Sequence, residues 1–88
     1  MNTVKDQLSS LVVDRIRTLC RQRSFSIYKL SQMSGITRST LNNIMGQKTR
    51  DARLSTLLKV ANAFGLTVAE FLDFPALNDY SFEDDTDE

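Results

Sequence analysis

One glycine between two short amphipathic patterns constrains this 88-residue chain more than any other feature. Ser26 is a suitable helix N-cap, and Leu30 and Met33 follow at the spacing of one helical face. Gly35 can end that helix in the left-handed conformation, since it lacks a Cβ atom, and Ile36 supplies the apolar residue that packs beyond such an end. The pattern predicts a short helix followed at once by a sharp turn.

A second short helix is predicted after this turn, with Thr37 as its N-cap. Its inward face comprises Leu41, Ile44 and Met45. Its outward face comprises Arg38, Ser39, Asn42 and Asn43. Arginine can bond guanine through a bidentate fork, asparagine can bond adenine bidentately, and serine can bond bases or phosphates. This face suits the major groove of DNA, although polar residues are also ordinary on the solvent side of a surface helix.

Further helices are predicted on both sides of this pair. The first covers residues 4–23 and the fourth covers residues 54–64. The fourth is expected to face inward with Leu54, Leu57, Leu58, Ala61 and Phe64. The fifth opens with a capping box between Thr67 and Glu70 and is closed by Pro75. Its expected buried residues are Val68, Phe71 and Leu72.

A net charge of zero conceals a strongly divided chain. All 11 lysines and arginines lie in residues 1–72 with only four carboxylates, whereas residues 73–88 carry seven carboxylates and no base. The cationic part can attract a polyanion by counterion release. The acidic end has three readings: a solvated disordered terminus, a strip that binds a protein partner, or an internal phosphate mimic that competes for the basic face. Its apolar residues could instead pack back onto the helices.

Composition limits the other function classes. The chain is short enough for one domain, and it has no histidine and one cysteine, which removes common catalytic triads and thiolate or imidazole zinc sites. Three isolated glycines form no phosphate-binding loop. We therefore expect no enzymatic activity, no cofactor and no metal, with Cys20 as a buried small hydrophobe. No apolar run approaches the roughly 20 residues that span a bilayer, so a cytoplasmic protein without membrane contact is expected.

Residues 15–72 resemble the lambda-repressor-like, Cro-type (XRE) helix-turn-helix family of bacterial and phage regulators. The resemblance is carried by RIRTL at 15–19, SIYKLSQMSGITRSTLNNI at 26–44 and LSTLLKVANAFGLTVAEFL at 54–72. It implies an all-α, compact five-helix DNA-binding domain over residues 1–74, followed by an acidic tail over residues 75–88. The second helix would cross the sugar-phosphate backbone and the third would enter the major groove. Ile27 departs from the family, which often has glutamine there.

The resemblance assigns base reading to Arg38, Ser39, Asn42 and Asn43. The expected phosphate contacts lie at the second and third helices or are cations that follow them: Ser26, Tyr28, Lys29, Thr37, Thr40, Lys48, Arg50 and Arg53. The function predicted is sequence-specific binding of double-stranded DNA by a transcriptional regulator, expected to be a repressor and a homodimer. The dimer surface would be formed by residues 71–82 or by the early part of the first helix. The alternative is a protein-interaction module, such as the antitoxin of a toxin-antitoxin pair, with its partner at the C-terminal region.

Overall fold

The computed structural model describes residues 4–46 and 52–81, and within these ranges it contains helices and no strand. The helices are α1 (Val4–Arg23), α2 (Ile27–Ser34), α3 (Arg38–Met45), α4 (Leu54–Ala63), α5 (Val68–Leu72) and α6 (Pro75–Asn78). The all-α prediction is confirmed, and the expected bounds of α1 are reproduced. A sixth, four-residue helix follows the five that were expected. No helix among the described residues has the length and apolarity needed to cross a bilayer.

The core takes one or more large apolar side chains from each of the five longer helices. Its most deeply buried members are Val13 and Ile16 of α1, Leu30 of α2, Leu41 of α3, Val60 of α4 and Phe71 of α5. Among the described residues no polar or charged residue is buried. Apolar burial therefore sets how the helices pack, and α2 and α3 are fixed to the same core by Leu30 and Leu41.

The buried face of α4 differs from the expected one. Leu54 and Leu58 were predicted to face inward but are 66% and 48% exposed. The face that packs on the core follows an i, i+3, i+4, i+7 pattern through Leu57, Val60, Ala61 and Phe64. At about 100° per residue, Leu58 lies about 60° beyond Ala61, the nearest member of this stripe. The helix carries more apolar residues than one face can bury, and Val60 takes the place expected for Leu58.

Met33 of α2 was also placed on the packing face, and this prediction is wrong because its side chain is 51% exposed. The inward stripe of α2 runs instead through Ile27, Leu30, Ser31 and Ser34. This stripe has the same i, i+3, i+4, i+7 spacing as the stripe of α4. Two small serines therefore occupy positions nearer the core than the larger methionine.

The two glycine-ended helices have the predicted geometry. Gly35 has φ 76° and Gly65 has φ 74°, both in the left-handed region that a side chain would strain. The Gly35 amide donates to the Ser31 carbonyl at 3.0 Å, and the Leu66 amide donates to the Ala61 carbonyl at 2.9 Å. Both turns satisfy helix-end carbonyls and redirect the chain within three residues.

The predicted capping box of α5 is present. The Glu70 amide donates to Thr67 Oγ1 at 3.0 Å, and the Thr67 amide donates to Glu70 Oε1 at 2.9 Å. Phe71 is fully buried, whereas Val68 and Leu72 are half-buried. Pro75 does not terminate α5, which already ends at Leu72; it is the first residue of α6, where the missing N–H of proline is harmless.

The segment after α5 returns along α1. Arg15 of α1 donates from Nε to the Phe71 carbonyl at 2.7 Å and from Nη2 to the Glu70 carbonyl at 2.9 Å. Its guanidinium carbon lies 5.2 Å from the centroid of the Phe74 ring, and Tyr80 Oη donates to Gln7 Oε1 at 2.7 Å. These contacts hold the chain against α1 as far as Tyr80. Residues 82–88, which carry most of the acidic end, lie outside the described residues.

Candidate nucleic-acid interface

The turn between α2 and α3 is fixed by hydroxyl groups as well as by Gly35. Ser31 Oγ donates to the Ile36 carbonyl at 2.8 Å, and the Ile36 amide donates to Ser34 Oγ at 3.1 Å. The Ile36 side chain is buried, as expected for the residue beyond the glycine. Ser31 and Ser34 were not predicted to hold the turn, although two hydroxyls in the last turn before a helix-ending glycine are a usable signal. Together these contacts set the angle at which α3 leaves α2.

The N-termini of α2 and α3 are both capped by side chains. Ser26 Oγ accepts from the Lys29 amide at 3.0 Å, and Thr37 Oγ1 accepts from the Thr40 amide at 3.1 Å. Thr37 Oγ1 also donates to Thr40 Oγ1 at 3.0 Å. Because the Ser26 and Thr40 hydroxyls only accept in these bonds, each retains a proton that can be donated to a phosphate oxygen. Both predicted caps are confirmed.

The two faces of α3 divide as the sequence predicted. Leu41 and Ile44 are buried in the core and Met45 is half-buried. The residues on the opposite side are all exposed: Arg38, Ser39, Asn42 and Asn43. Burial on one side keeps the helix in place, and exposure on the other leaves four hydrogen-bonding side chains accessible. The base-reading role of these four residues stays a prediction.

Arg38 and Tyr28 make a contact between α3 and α2 that the sequence did not reveal. The Arg38 guanidinium carbon lies 5.5 Å from the centroid of the Tyr28 ring. Tyr28 Oη accepts from Gln32 Nε2 at 2.9 Å. Tyr28 is 53% exposed, and Arg38 has no carboxylate partner among the described residues. The interaction thus joins Tyr28, a residue predicted to contact phosphate, to Arg38, a residue predicted to read a base.

The remaining predicted phosphate contacts are placed as far as the described residues allow. Ser26, Lys29, Thr37 and Thr40 are exposed at the N-terminal ends of α2 and α3, where helix dipoles and free amides favour anions. Arg53 is exposed at the N-cap position of α4 and makes no side-chain capping bond. Lys48 and Arg50 lie outside the described residues.

A surface cleft lies where α1 meets the start of α2 and the end of α3. The residues that line it are Arg17, Cys20, Arg21, Phe25, Ser26, Ile27 and Met45. Ile27 is half-buried and packs against the core, so this position serves packing instead of the polar bonds a glutamine would make. Arg17 and Arg21 add two exposed cations beside the Ser26 cap. Their i, i+4 spacing on α1 was the signal available in the sequence.

Cys20 is buried at this cleft, as predicted. Desolvation by burial raises the pKa of the Cys20 thiol, despite the two arginines that line the same cleft. A raised pKa keeps the group as a neutral thiol near pH 7, which is the form that packs with apolar neighbours and reacts poorly as a nucleophile. The thiol therefore belongs to the core and adds no reactive group to the surface.

Comparison with known proteins agrees with this geometry. The family profile of the Cro/C1-type HTH DNA-binding domain matches residues 15–76, well over half of the chain. The match begins within α1 and ends within α6, so it includes both helices of the exposed pair. Searches of curated proteins and of solved structures give no significant match. The chain belongs to the Cro/C1-type helix-turn-helix family, whose domains bind DNA in transcription regulation.

Proposed function

We propose that the protein recognises specific sequences in double-stranded DNA through α3 and acts as a repressor of bacterial or phage type by occupying promoter DNA. The observation that supports this most strongly is the division of α3 between a buried apolar side and an exposed side with four hydrogen-bonding side chains. Such a protein would act in the cytoplasm, where bacterial promoters lie.

In this proposal α3 enters the major groove and its exposed side meets the base edges. Arg38 donates through its fork to a guanine, and Asn42 and Asn43 pair with adenines or with neighbouring acceptors. Each good bidentate pair contributes about 1–3 kcal/mol of discrimination against the wrong base. The helix is held against the core by Leu41 and Ile44, so it is presented without further ordering of its backbone.

Phosphate contacts would come from α2 and from the caps. Ser26 and Thr40 each retain a hydroxyl proton, and Lys29 lies one turn into α2. Arg17 and Arg21 lie beside Ser26 and extend the cationic surface onto α1. These groups would fix the register of α3 in the groove. Their contribution to DNA affinity would decrease as the salt concentration rises, because it depends on counterion release.

We propose a homodimer, and the short length of α3 supports it. Eight residues span about 12 Å, which covers the edges of only three or four base pairs. Two copies related by a two-fold axis would read two half-sites about 34 Å apart and so double the sequence read. The candidate dimer surfaces are residues 71–82 and the early part of α1.

The test is selection of bound sequences from a random duplex pool. The wild-type protein should enrich a motif with two-fold symmetry. A variant that combines Arg38→Ala, Ser39→Ala, Asn42→Ala and Asn43→Ala should enrich no motif. Asn62→Ala is the matched control, since Asn62 is an exposed asparagine on α4, outside the proposed interface, and this variant should select the wild-type motif. A wild-type protein that folds but enriches no sequence would contradict the proposal.

The second candidate function is protein interaction, such as the antitoxin role in a toxin-antitoxin pair. The observation in its favour is the exposed apolar side of α4, where Leu54 and Leu58 are accessible. The two functions are separated by DNA binding in the absence of a partner. If the purified protein selects a motif only when a partner protein is present, the antitoxin role is favoured over an autonomous repressor.

A further inference from the structure

Arg38 is the first residue of α3, and the group that supports its side chain is on α2. The Tyr28 ring lies beneath the guanidinium, with the guanidinium carbon 5.5 Å from the ring centroid. This distance is within the range in which an arginine is attracted to an aromatic face. The residue that reads a base in the proposed function is therefore held by a residue of the neighbouring helix.

The chemistry of a ring contact differs from that of an ion pair. A guanidinium donates hydrogen bonds from its edge, and an aromatic ring attracts it without accepting those N–H groups in conventional hydrogen bonds. A carboxylate partner would accept two of the donors and compete with a base. Arg38 has no carboxylate partner among residues 4–46 and 52–81, so its N–H donors remain available for a base. The ring contact limits the orientations that the guanidinium adopts.

The hydroxyl of Tyr28 has its own partner within α2. Gln32 lies one turn later, and its Nε2 donates to Tyr28 Oη at 2.9 Å. Residues four apart on a helix face the same side, so this exposed bond engages the hydroxyl and leaves the ring face to Arg38. The phenol accepts in this bond and keeps its own proton, which can still be donated to a phosphate oxygen.

We propose that Tyr28 is a positioning residue for Arg38, whose ring aligns the guanidinium with the base edge and thereby sets discrimination at that single base pair. This inference rests on the proposed function of α3. It differs from the phosphate contact expected from the sequence, because the ring would act through Arg38 and only the hydroxyl would act on the backbone. Ring and hydroxyl can be separated by substitution.

The experiment measures the affinity of each variant for the selected duplex. It also measures the affinity for a set of duplexes in which each position is replaced in turn by the other base pairs. The base pair of Arg38 is the one whose discrimination Arg38→Ala removes. Tyr28→Phe should keep discrimination there, whereas Tyr28→Leu should reduce it by about two- to fivefold, the size of an exposed cation–π contact. In the Arg38→Ala background Tyr28→Leu should lower the affinity for the selected duplex less than it does when Arg38 is present. Met33→Ala is the matched control, since Met33 is similarly exposed on α2 and should leave discrimination unchanged.

Three results would overturn the proposal. If Tyr28→Phe weakens selected and random duplexes as much as Tyr28→Leu, only the hydroxyl acts, as a phosphate contact. If Tyr28→Leu lowers the affinity for the selected duplex equally with and without Arg38, the ring does not act through that residue. If wild-type protein discriminates through Arg38 but Tyr28→Leu has no effect, positioning fails while base reading stands. A wild-type protein without any discrimination removes the proposed function itself. Thermal unfolding of each variant confirms that affinity is compared between folded proteins.

Discussion

The contact of α1 with α5 and α6 and the contact of α2 with α3 each contain an arginine over an aromatic ring. Arg15 lies over Phe74 and donates from Nε and Nη2 to the carbonyls of Phe71 and Glu70. Arg38 lies over Tyr28 at a similar distance. Its donors bond no backbone carbonyl among the described residues. Both contacts place an arginine over an aromatic ring. The two regions differ in whether the arginine N–H groups donate to backbone carbonyls.

This difference separates a structural role from a binding role. A five-residue helix leaves its last carbonyls without intrahelical partners, and Arg15 satisfies two carbonyls at the end of α5. Arg38 begins a helix in which Thr37 accepts from the Thr40 amide and whose outward residues are exposed. We expect substitutions in the Arg15 region to change stability and substitutions in the Arg38 region to change DNA recognition.

The strongest test of the structural region is removal of its buried ring. Phe71 is 0% exposed, so Phe71→Ala should lower the free energy of unfolding by about 3–5 kcal/mol through lost burial and a cavity. Urea unfolding measures this change. Leu54→Ala is the control and should stay within about 0.5 kcal/mol of wild type, since Leu54 is largely exposed. Equal losses for the two variants would mean that α5 is not part of the core.

The next test exchanges the two arginines for a side chain of similar length. Arg15→Met should lower the free energy of unfolding by about 1.5–3 kcal/mol, because the part-buried Phe71 carbonyl and the exposed Glu70 carbonyl lose charged donors. Arg38→Met should lower it by at most about 1 kcal/mol, since Arg38 is exposed and loses only the contact with the Tyr28 ring. Denaturant unfolding of both variants gives the comparison directly. Equal destabilisation would remove the distinction between the two regions.

A smaller effect is expected at the start of α3. Thr37→Ala removes the oxygen that accepts from the Thr40 amide and should cost about 1 kcal/mol of unfolding free energy. Thr37→Ser keeps a capping oxygen and should restore most of this loss. Ser39→Ala, on the exposed side of the same helix, should be nearly neutral. The account of the turn would be wrong if Thr37→Ser and Thr37→Ala were equally destabilised in thermal melts.

The smallest expected effect is a pH dependence of stability that arises from Cys20, in the cleft where α1 meets α2 and α3. Folding raises the pKa of the Cys20 thiol by burial, so the native state holds this proton more tightly than the unfolded chain does. The resulting stability is fully present below the unfolded pKa and is lost as the pH rises through the raised folded-state pKa. Unfolding at pH 7 and pH 10 should show a larger drop for wild type than for Cys20→Ala. Identical drops would show that the thiol contributes nothing to this dependence.

Local chemistry explains which parts of the fold could be predicted. Gly35, Thr37 and the capping box of Thr67 and Glu70 act within one helical turn, so their geometry follows from neighbouring residues. The expected exposure of the α3 outward side also follows from its amphipathic pattern. The sequence profile then supplied the family, which such local rules do not determine.

Contacts between helices explain the errors. Met33 and Leu58 fit an apolar stripe by spacing alone, but α2 and α4 each bury a neighbouring stripe where they pack on one another. Leu54 lies by spacing on the buried side of α4, but it is the first residue of the helix and is exposed. The Tyr28 contact with Arg38 depends on how α2 and α3 cross, so no spacing within either helix indicates it. Lys48 and Arg50 remain predictions from sequence alone.

The most direct measurement compares DNA affinity of wild type, Arg38→Ala and Lys29→Ala on the selected duplex and on random duplex over a range of salt concentrations. Arg38→Ala should cost about 1–3 kcal/mol on the selected duplex and little on random duplex. Lys29→Ala should weaken both duplexes similarly and reduce the salt slope by about one unit. If Arg38→Ala weakens both duplexes equally, Arg38 is a phosphate contact and the exposed side of α3 does not read bases as proposed.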